Sequence, residues 1–239
     1  MAIPRIGRPT AFLFDLDGTL VDSVYQNVLA WRSALHQLGI DCPVWRIHRR
    51  IGMSAGLVSH ALLRETGRAI TEDEAARLAR LHQEEYARQE FSVRPLPGAS
   101  ELLTTLADAG IPFAIATSGR AKTARPAVAL LGADPALPLI THDDVPHAKP
   151  DPDLFLAAAR ALGADIEQAW VVGDSVWDML AARRAGALGV GLLSGGYGFD
   201  ELLQAGAYRV YQDPADLLRH LDELGVRRGS QAANPAGPF

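Results

Sequence analysis

Lysine is scarce in this chain: of 239 residues, only Lys122 and Lys149 carry an ammonium group, while arginine is abundant. A genome's codon bias is the plain explanation for abundant arginine, but two lysines are few enough for each to be worth placing. Cysteine occurs once, at Cys42, which excludes a disulfide framework and a cysteine-rich zinc site. Beside Pro43 and outside any motif, that thiol reads as inert. No stretch approaches the roughly 20 apolar residues of a membrane span. The amino-terminal "MAIPRIGRPT" also lacks the apolar centre of a signal peptide. The net charge is −5 and no basic block interrupts it, so the electrostatic footprint of a nucleic-acid binder is missing. The expectation is a soluble protein of a reducing compartment, most simply the cytoplasm. Neither membrane nor nucleic acid is expected as a partner, and the chain is expected as a monomer or weak homodimer.

What is present is ordinary globular material, 48% hydrophobic and 21% charged. Short apolar runs, "TAFLFD", "IPFAIAT", "LPLIT", "AWVVGD" and "LGVGLL", with the weaker "YRVYQD", read as strands covered on both faces. Between them "SELLTTLADAG", "PDLFLAAARALGA" and "DMLAARRAGA" carry apolar residues at helical spacing and a glycine near their ends. That alternation predicts an α/β fold with a doubly wound parallel sheet. From Ser23 to Arg94 it is interrupted by helical pattern alone. Val24, Val28, Trp31, Leu35 and Leu38 share one face, and Thr71 with Glu74 forms a capping-box signature. The expected organisation is a discontinuous core, 1–22 and 95–225, an all-helical insert, 23–94, and a tail of disordered composition, 226–239.

Two carboxylates, Asp15 and Asp17, end the first strand in "FLFDLDGTLVDS". Period-two geometry puts both on one side if the strand stays extended, and Gly18 then allows a turn. Turn-forming aspartates capping a strand would explain them without any chemistry. Three further strand or loop ends weigh against that reading. "VVGDSVWD" ends in Asp174 with Asp178 four residues on, "AIATSG" ends in Thr117 and Ser118, and "HAKPDPD" brings Lys149 before a helix. In open α/β sheets such ends face one crevice. Two like charges about 4 Å apart repel by roughly 4 kcal/mol at an effective dielectric near 20. Clustered carboxylates therefore call for a cation, and all-oxygen ligation without histidine favours Mg²⁺ over zinc. The seven histidines are scattered, none shares a strand end with these aspartates, and they default to surface or packing roles. A site with a hard cation, one lysine, small hydroxyls and helix-start N–H groups suits phosphate, and a free carboxylate beside it can act as a nucleophile.

From about Phe12 to Leu224 the chain resembles the haloacid dehalogenase superfamily. "DLDGTLVDS" is similar to its first motif, Thr117 with Ser118 to its second, Lys149 to its third, and Asp174 with Asp178 to its acidic fourth. The resemblance implies a Rossmann-like core with a helical cap inserted after the first motif. It implies Asp15 as nucleophile, Asp17 as general acid/base, and Lys149 and Thr117 as further catalytic residues. Mg²⁺ would be held by Asp15, the backbone carbonyl of Asp17 and Asp174, with Asp178 supporting. The substrate would be a small phosphorylated metabolite contacted by Thr117, Ser118 and Lys149.

Departures within the superfamily separate its branches. Asp17 is absent from dehalogenases, and the insert lacks the lysine that phosphonatases use for a Schiff base. A β-phosphoglucomutase-like branch would place a cationic residue at Ala55 and a histidine at Asn27, whereas "SGGYG" and "ELLQAGA" resemble phosphoglycolate phosphatase. A phosphatase is therefore expected, with the mutase as alternative. A receiver-like signalling module or a catalytically silent binding protein are the non-enzyme alternatives; the first is about half this length. In the insert, "WRIHRRIGMS" offers Arg46, His48, Arg49 and Arg50 either to an acidic substrate or to solvent. Arg120, just after the hydroxyl pair, is a candidate phosphate contact, and Asp143 and Asp144 read as turn residues.

Overall fold

The computed structural model describes residues 11–67 and 71–226. Six parallel strands form one sheet in the order β5-β4-β1-β6-β7-β8. They are β1 (Ala11–Phe14), β4 (Phe113–Ala116), β5 (Leu139–Ile140), β6 (Ala169–Gly173), β7 (Leu188–Leu192) and β8 (Ala207–Tyr211). All six apolar runs read from the sequence are therefore strands. Central β1 is buried along its whole length, as expected of a strand covered on both faces. Its alternate residues serve opposite layers. Phe12 and Phe14 pack with Leu102, Leu106, Ile115, Trp170 and Leu217. Ala11 and Leu13 pack with Leu154, Phe155, Ala158 and Ala181. The first layer is built on α5 (Ala99–Asp108), α6 (Ala121–Ala129) and α10 (Pro214–Arg219). The second is built on α7 (Asp153–Leu162) and α8 (Val176–Ala185). A last helix, α9 (Phe199–Ala205), packs on β8 and α8.

The insert is helical: α1 (Val24–Gln37), α2 (Val44–His48), α3 (Ala55–Glu65) and α4 (Glu72–Ala87). Val24, Val28, Trp31 and Leu35 are buried with Ile47, Val58, Leu62 and Leu78 in a cluster of the insert's own, and Leu38 packs against it. Thr71 and Glu74 make the predicted capping box at the start of α4. The sequence pattern missed one feature. Val21–Asp22 (β2) and Arg94–Pro95 (β3) pair antiparallel where the chain leaves and re-enters the sheet domain. Two-residue strands carrying Asp, Arg and Pro present no apolar run to detect.

Val226, the first residue of the expected tail, is buried in the core, and residues 227–239 of that expectation lie outside the described residues. Among the described residues no helix is long and apolar enough to cross a membrane.

Candidate active site

β1 lies between β4 and β6, so the connections leave it in opposite directions and open a crevice at their carboxyl ends. Asp15 follows β1, Thr117 follows β4 and Asp174 follows β6. Asp15, Asp174 and Asp178 are buried, and one carboxylate oxygen from each lies within 4.8 Å of the others. Lys149 is wholly buried with them. Its Nζ donates to Asp15 Oδ1 and, at 2.8 Å, to Asp178 Oδ1.

One ammonium does not neutralise three carboxylates, and the proton affinities reflect it. Burial pushes Asp15 up to about 7, with Asp178 and Asp17 adding to the rise and Lys149 opposing it. Burial likewise holds Asp174 well above the carboxylate range, helped by Asp178 and Asp15. Burial acts to lower Lys149, but Asp15 and Asp178 outweigh it and the ammonium stays charged. Such a buried donor set, rich in oxygen and short of positive charge, fits a hard divalent cation.

Local structure holds each acid in place. Asp178 sits in the first turn of α8, where its Oδ2 accepts from Ser175 N at 3.0 Å and Ser175 Oγ at 2.5 Å. Ser175 three residues ahead of an acid is a capping-box pattern that could have been read from the sequence. Both Asp178 oxygens thus accept from protein donors, Oδ1 from Lys149 and Oδ2 from Ser175. Asp174 Oδ1 accepts from Thr19 Oγ1 at 3.0 Å. A Cβ added at Gly18 or Gly195 would fall 2.5 or 1.7 Å from Asp174 Oδ2, so the backbone must come this close without a side chain.

Asp17 faces a different set. Its Oδ1 accepts from Ser23 Oγ at 2.6 Å and Asn27 Nδ2 at 3.5 Å, and its Oδ2 accepts from Thr117 Oγ1 at 3.4 Å. Its carboxylate is outside the metal-competent trio, although it lines the same crevice as Asp15 and Lys149. Thr117 Oγ1 also accepts from Gly119 N at 2.9 Å.

Ser118 and Arg120 both border the crevice, and each also has a partner within the chain. Ser118 Oγ donates to Gly52 O in the insert at 2.9 Å, so its hydroxyl ties the two parts of the chain together. Arg120 donates to Asp143 Oδ1 at 2.8 Å while Asp143 Oδ2 accepts from Ala121 N. Asp144 caps the short turn after Thr141. The basic side chains of the insert pair within the chain while staying partly exposed. Arg49 grips Glu201 of α9 through both terminal nitrogens, at 3.2 and 2.6 Å, and lies over the Tyr197 ring. His48 Nε2 is 2.8 Å from Gly195 O, and Tyr197 Oη donates to Arg49 O at 3.0 Å. Arg46 and Arg50 pair with Glu65 inside the insert. Partners more than 140 residues away in sequence leave no local signal.

The crevice between insert and sheet encloses about 500 Å³. Asp15, Asp17, Thr117 and Lys149 line its floor side, and Trp31, Ile51, Ala55, Val58, His82 and Tyr86 line the insert side.

Comparison with known proteins agrees with this architecture. The profile of the haloacid dehalogenase-like hydrolase family matches residues 9–186. Phosphoglycolate phosphatase of Neisseria meningitidis is 34% identical over 197 residues, covering 81% of this chain and 83% of that protein. Validoxylamine A 7'-phosphate phosphatase of Streptomyces hygroscopicus is 36% identical over 194 residues, covering 75% of this chain and 84% of that protein. The crystal structure of a hydrolase from Pseudomonas syringae superposes with a TM-score of 0.87 at 55% identity, covering 90% of this chain and 98% of that one. The chain belongs to the haloacid dehalogenase-like hydrolase family and is a phosphatase, a hydrolase acting on phosphate esters.

Proposed function

We propose that the chain hydrolyses small phosphate monoesters with Mg²⁺ through a phosphoryl group carried on Asp15. The observation that carries this reading is the buried Lys149 shared by Asp15 and Asp178 beside Asp174, at the switch point of the sheet. In the first step Asp15 attacks phosphorus and Asp17 protonates the leaving oxygen. In the second, Asp17 takes a proton from water, which attacks the aspartyl-phosphate and releases inorganic phosphate. Lys149 holds phosphoryl oxygens through both steps, and Thr117 offers a hydroxyl to them. Asp15, Asp174 and the carbonyl of Asp17 would hold Mg²⁺, which supplies charge neutralisation to the phosphoryl oxygens. Residues 23–94 would serve as the cap that closes over the core, and closure keeps water other than the attacking one away.

Water is the proposed acceptor rather than a second sugar hydroxyl. A mutase has to recognise the far end of a sugar phosphate while the phospho-enzyme waits, and the mutase-like branch does so with cationic cap residues at the places held here by Asn27 and Ala55. Ala55 presents a methyl group to the crevice, and Asn27 is bonded to Asp17 and to Ser23 O.

Phosphate release from an aryl phosphate should require Mg²⁺, stop with a chelator, and vanish in Asp15→Asn while the fold persists. Turnover by Asp15→Asn at a near wild-type rate removes Asp15 as nucleophile. Fast conversion of β-glucose 1-phosphate to glucose 6-phosphate, given a trace of the 1,6-bisphosphate and little free phosphate, makes the protein a mutase.

A further inference from the structure

His82 lies on α4 with its ring stacked on Trp31, at a centroid distance of 4.0 Å and an interplanar angle of 14°. It is 9% exposed, lines the crevice, and neither ring nitrogen has a hydrogen-bond partner. Such an imidazole is costly to bury, because a polar group removed from water without a partner loses its solvation. Glu90, in the short turn Glu90–Ser92 after α4, also lines the crevice and has a buried, unpartnered Oε1. Tyr86 stands beside His82 with ring centroids 6.2 Å apart. Ile51, Met53, Ala55 and Val58 add apolar lining on the insert side, and Asn27, Gln83 and Glu84 add polar lining. Arg80 of the insert also borders the crevice, from an exposed position on α4.

We infer that the insert side of the crevice receives an uncharged, polyhydroxylated leaving group, a sugar or sugar alcohol, with His82 and Glu90 as its hydroxyl-binding residues. This rests on the phosphatase reading and specifies its substrate class. A neutral imidazole offers one donor and one acceptor, which matches a hydroxyl, itself both donor and acceptor. Burial lowers His82 to about 3, so the ring does not become the cation that a carboxylate would seek. Glu90 accepts from hydroxyl groups and repels a carboxylate. Trp31 and Tyr86 supply flat apolar faces for the carbon skeleton. The volume of about 500 Å³ falls within the roughly 300–1,000 Å³ of small-molecule sites and far exceeds the needs of a two-carbon acid.

The Mg²⁺-loaded enzyme should be assayed for phosphate release from sorbitol 6-phosphate, 2-phosphoglycolate and acetyl phosphate. The expected kcat/KM for sorbitol 6-phosphate exceeds that for 2-phosphoglycolate by about tenfold or more, as unpaired buried polar groups discriminate. His82→Leu should lower the ratio of kcat/KM for sorbitol 6-phosphate to that for acetyl phosphate by about fivefold to tenfold, chiefly through KM. His82→Gln, which keeps a donor and an acceptor, should restore most of that ratio. Glu90→Gln should narrow the gap between sorbitol 6-phosphate and 2-phosphoglycolate. A preference for 2-phosphoglycolate, or a ratio that neither His82 variant moves, overturns the inference and leaves the phosphatase reading standing. Phosphate release from none of the three phosphates overturns both.

Discussion

A buried neutral histidine makes stability depend on pH, and His82 allows the size of the effect to be worked out. Burial lowers its ring from 6.5 to about 3. Between those values the unfolded chain binds a proton that the folded chain refuses, so stability is full above the unfolded value and falls as pH drops toward 3. Moving from about pH 7 to about pH 5 should therefore cost about 2 kcal/mol from this residue alone. For a chain of this size that corresponds to a fall in Tm of about 4–8 °C. Thermal unfolding followed by circular dichroism, for wild type and His82→Gln at both pH values, separates this contribution from that of the carboxylates. The glutamine variant should lose about 4–8 °C less than wild type over the same interval. Equal losses in the two proteins would refute the reasoning, since they would mean that His82 titrates alike in the folded and unfolded chain.

Other perturbations test the site and its closure. Lys149→Ala leaves Asp15 and Asp178 buried without their shared counter-charge. It should cost about 3–5 kcal/mol in denaturant unfolding and cut kcat/KM more than tenfold. A smaller kinetic effect demotes Lys149 to a structural residue. Gly195→Ala would put a methyl group 1.7 Å from Asp174 Oδ2. Half-saturating Mg²⁺ should rise by about tenfold or more, and an unaltered Mg²⁺ titration would dismiss the close approach as unimportant. Glu201→Gln weakens the grip of Arg49 on α9, a partly exposed pair worth about 0–1 kcal/mol. Its expected signature is faster hydrogen exchange around α2 with little change in Tm, and unchanged exchange would show that the contact does not hold the cap.

The strand runs, the helical insert and the four acidic, hydroxyl and lysine motifs were legible because they rest on local rules. A strand buried on both faces must be continuously apolar, as "AFLF" is, and a helix that buries one face repeats its apolar residues at fixed spacing, as α1 does. Strand ends carry their chemistry where the chain turns, which is why Asp15, Asp174 and Thr117 stood out at strand ends, while their roles came from the resemblance to the family. Tertiary structure decided what those groups face. Nothing near Ser118 in sequence indicates Gly52, nothing near Arg49 indicates Glu201, and Arg120 finds Asp143 only because β4 and β5 are neighbours. His82 reads from the sequence as one scattered histidine among seven. Only the packing of α4 on α1 lays it against Trp31 with no partner for either nitrogen, because burial and hydrogen-bond satisfaction depend on what the rest of the chain brings alongside.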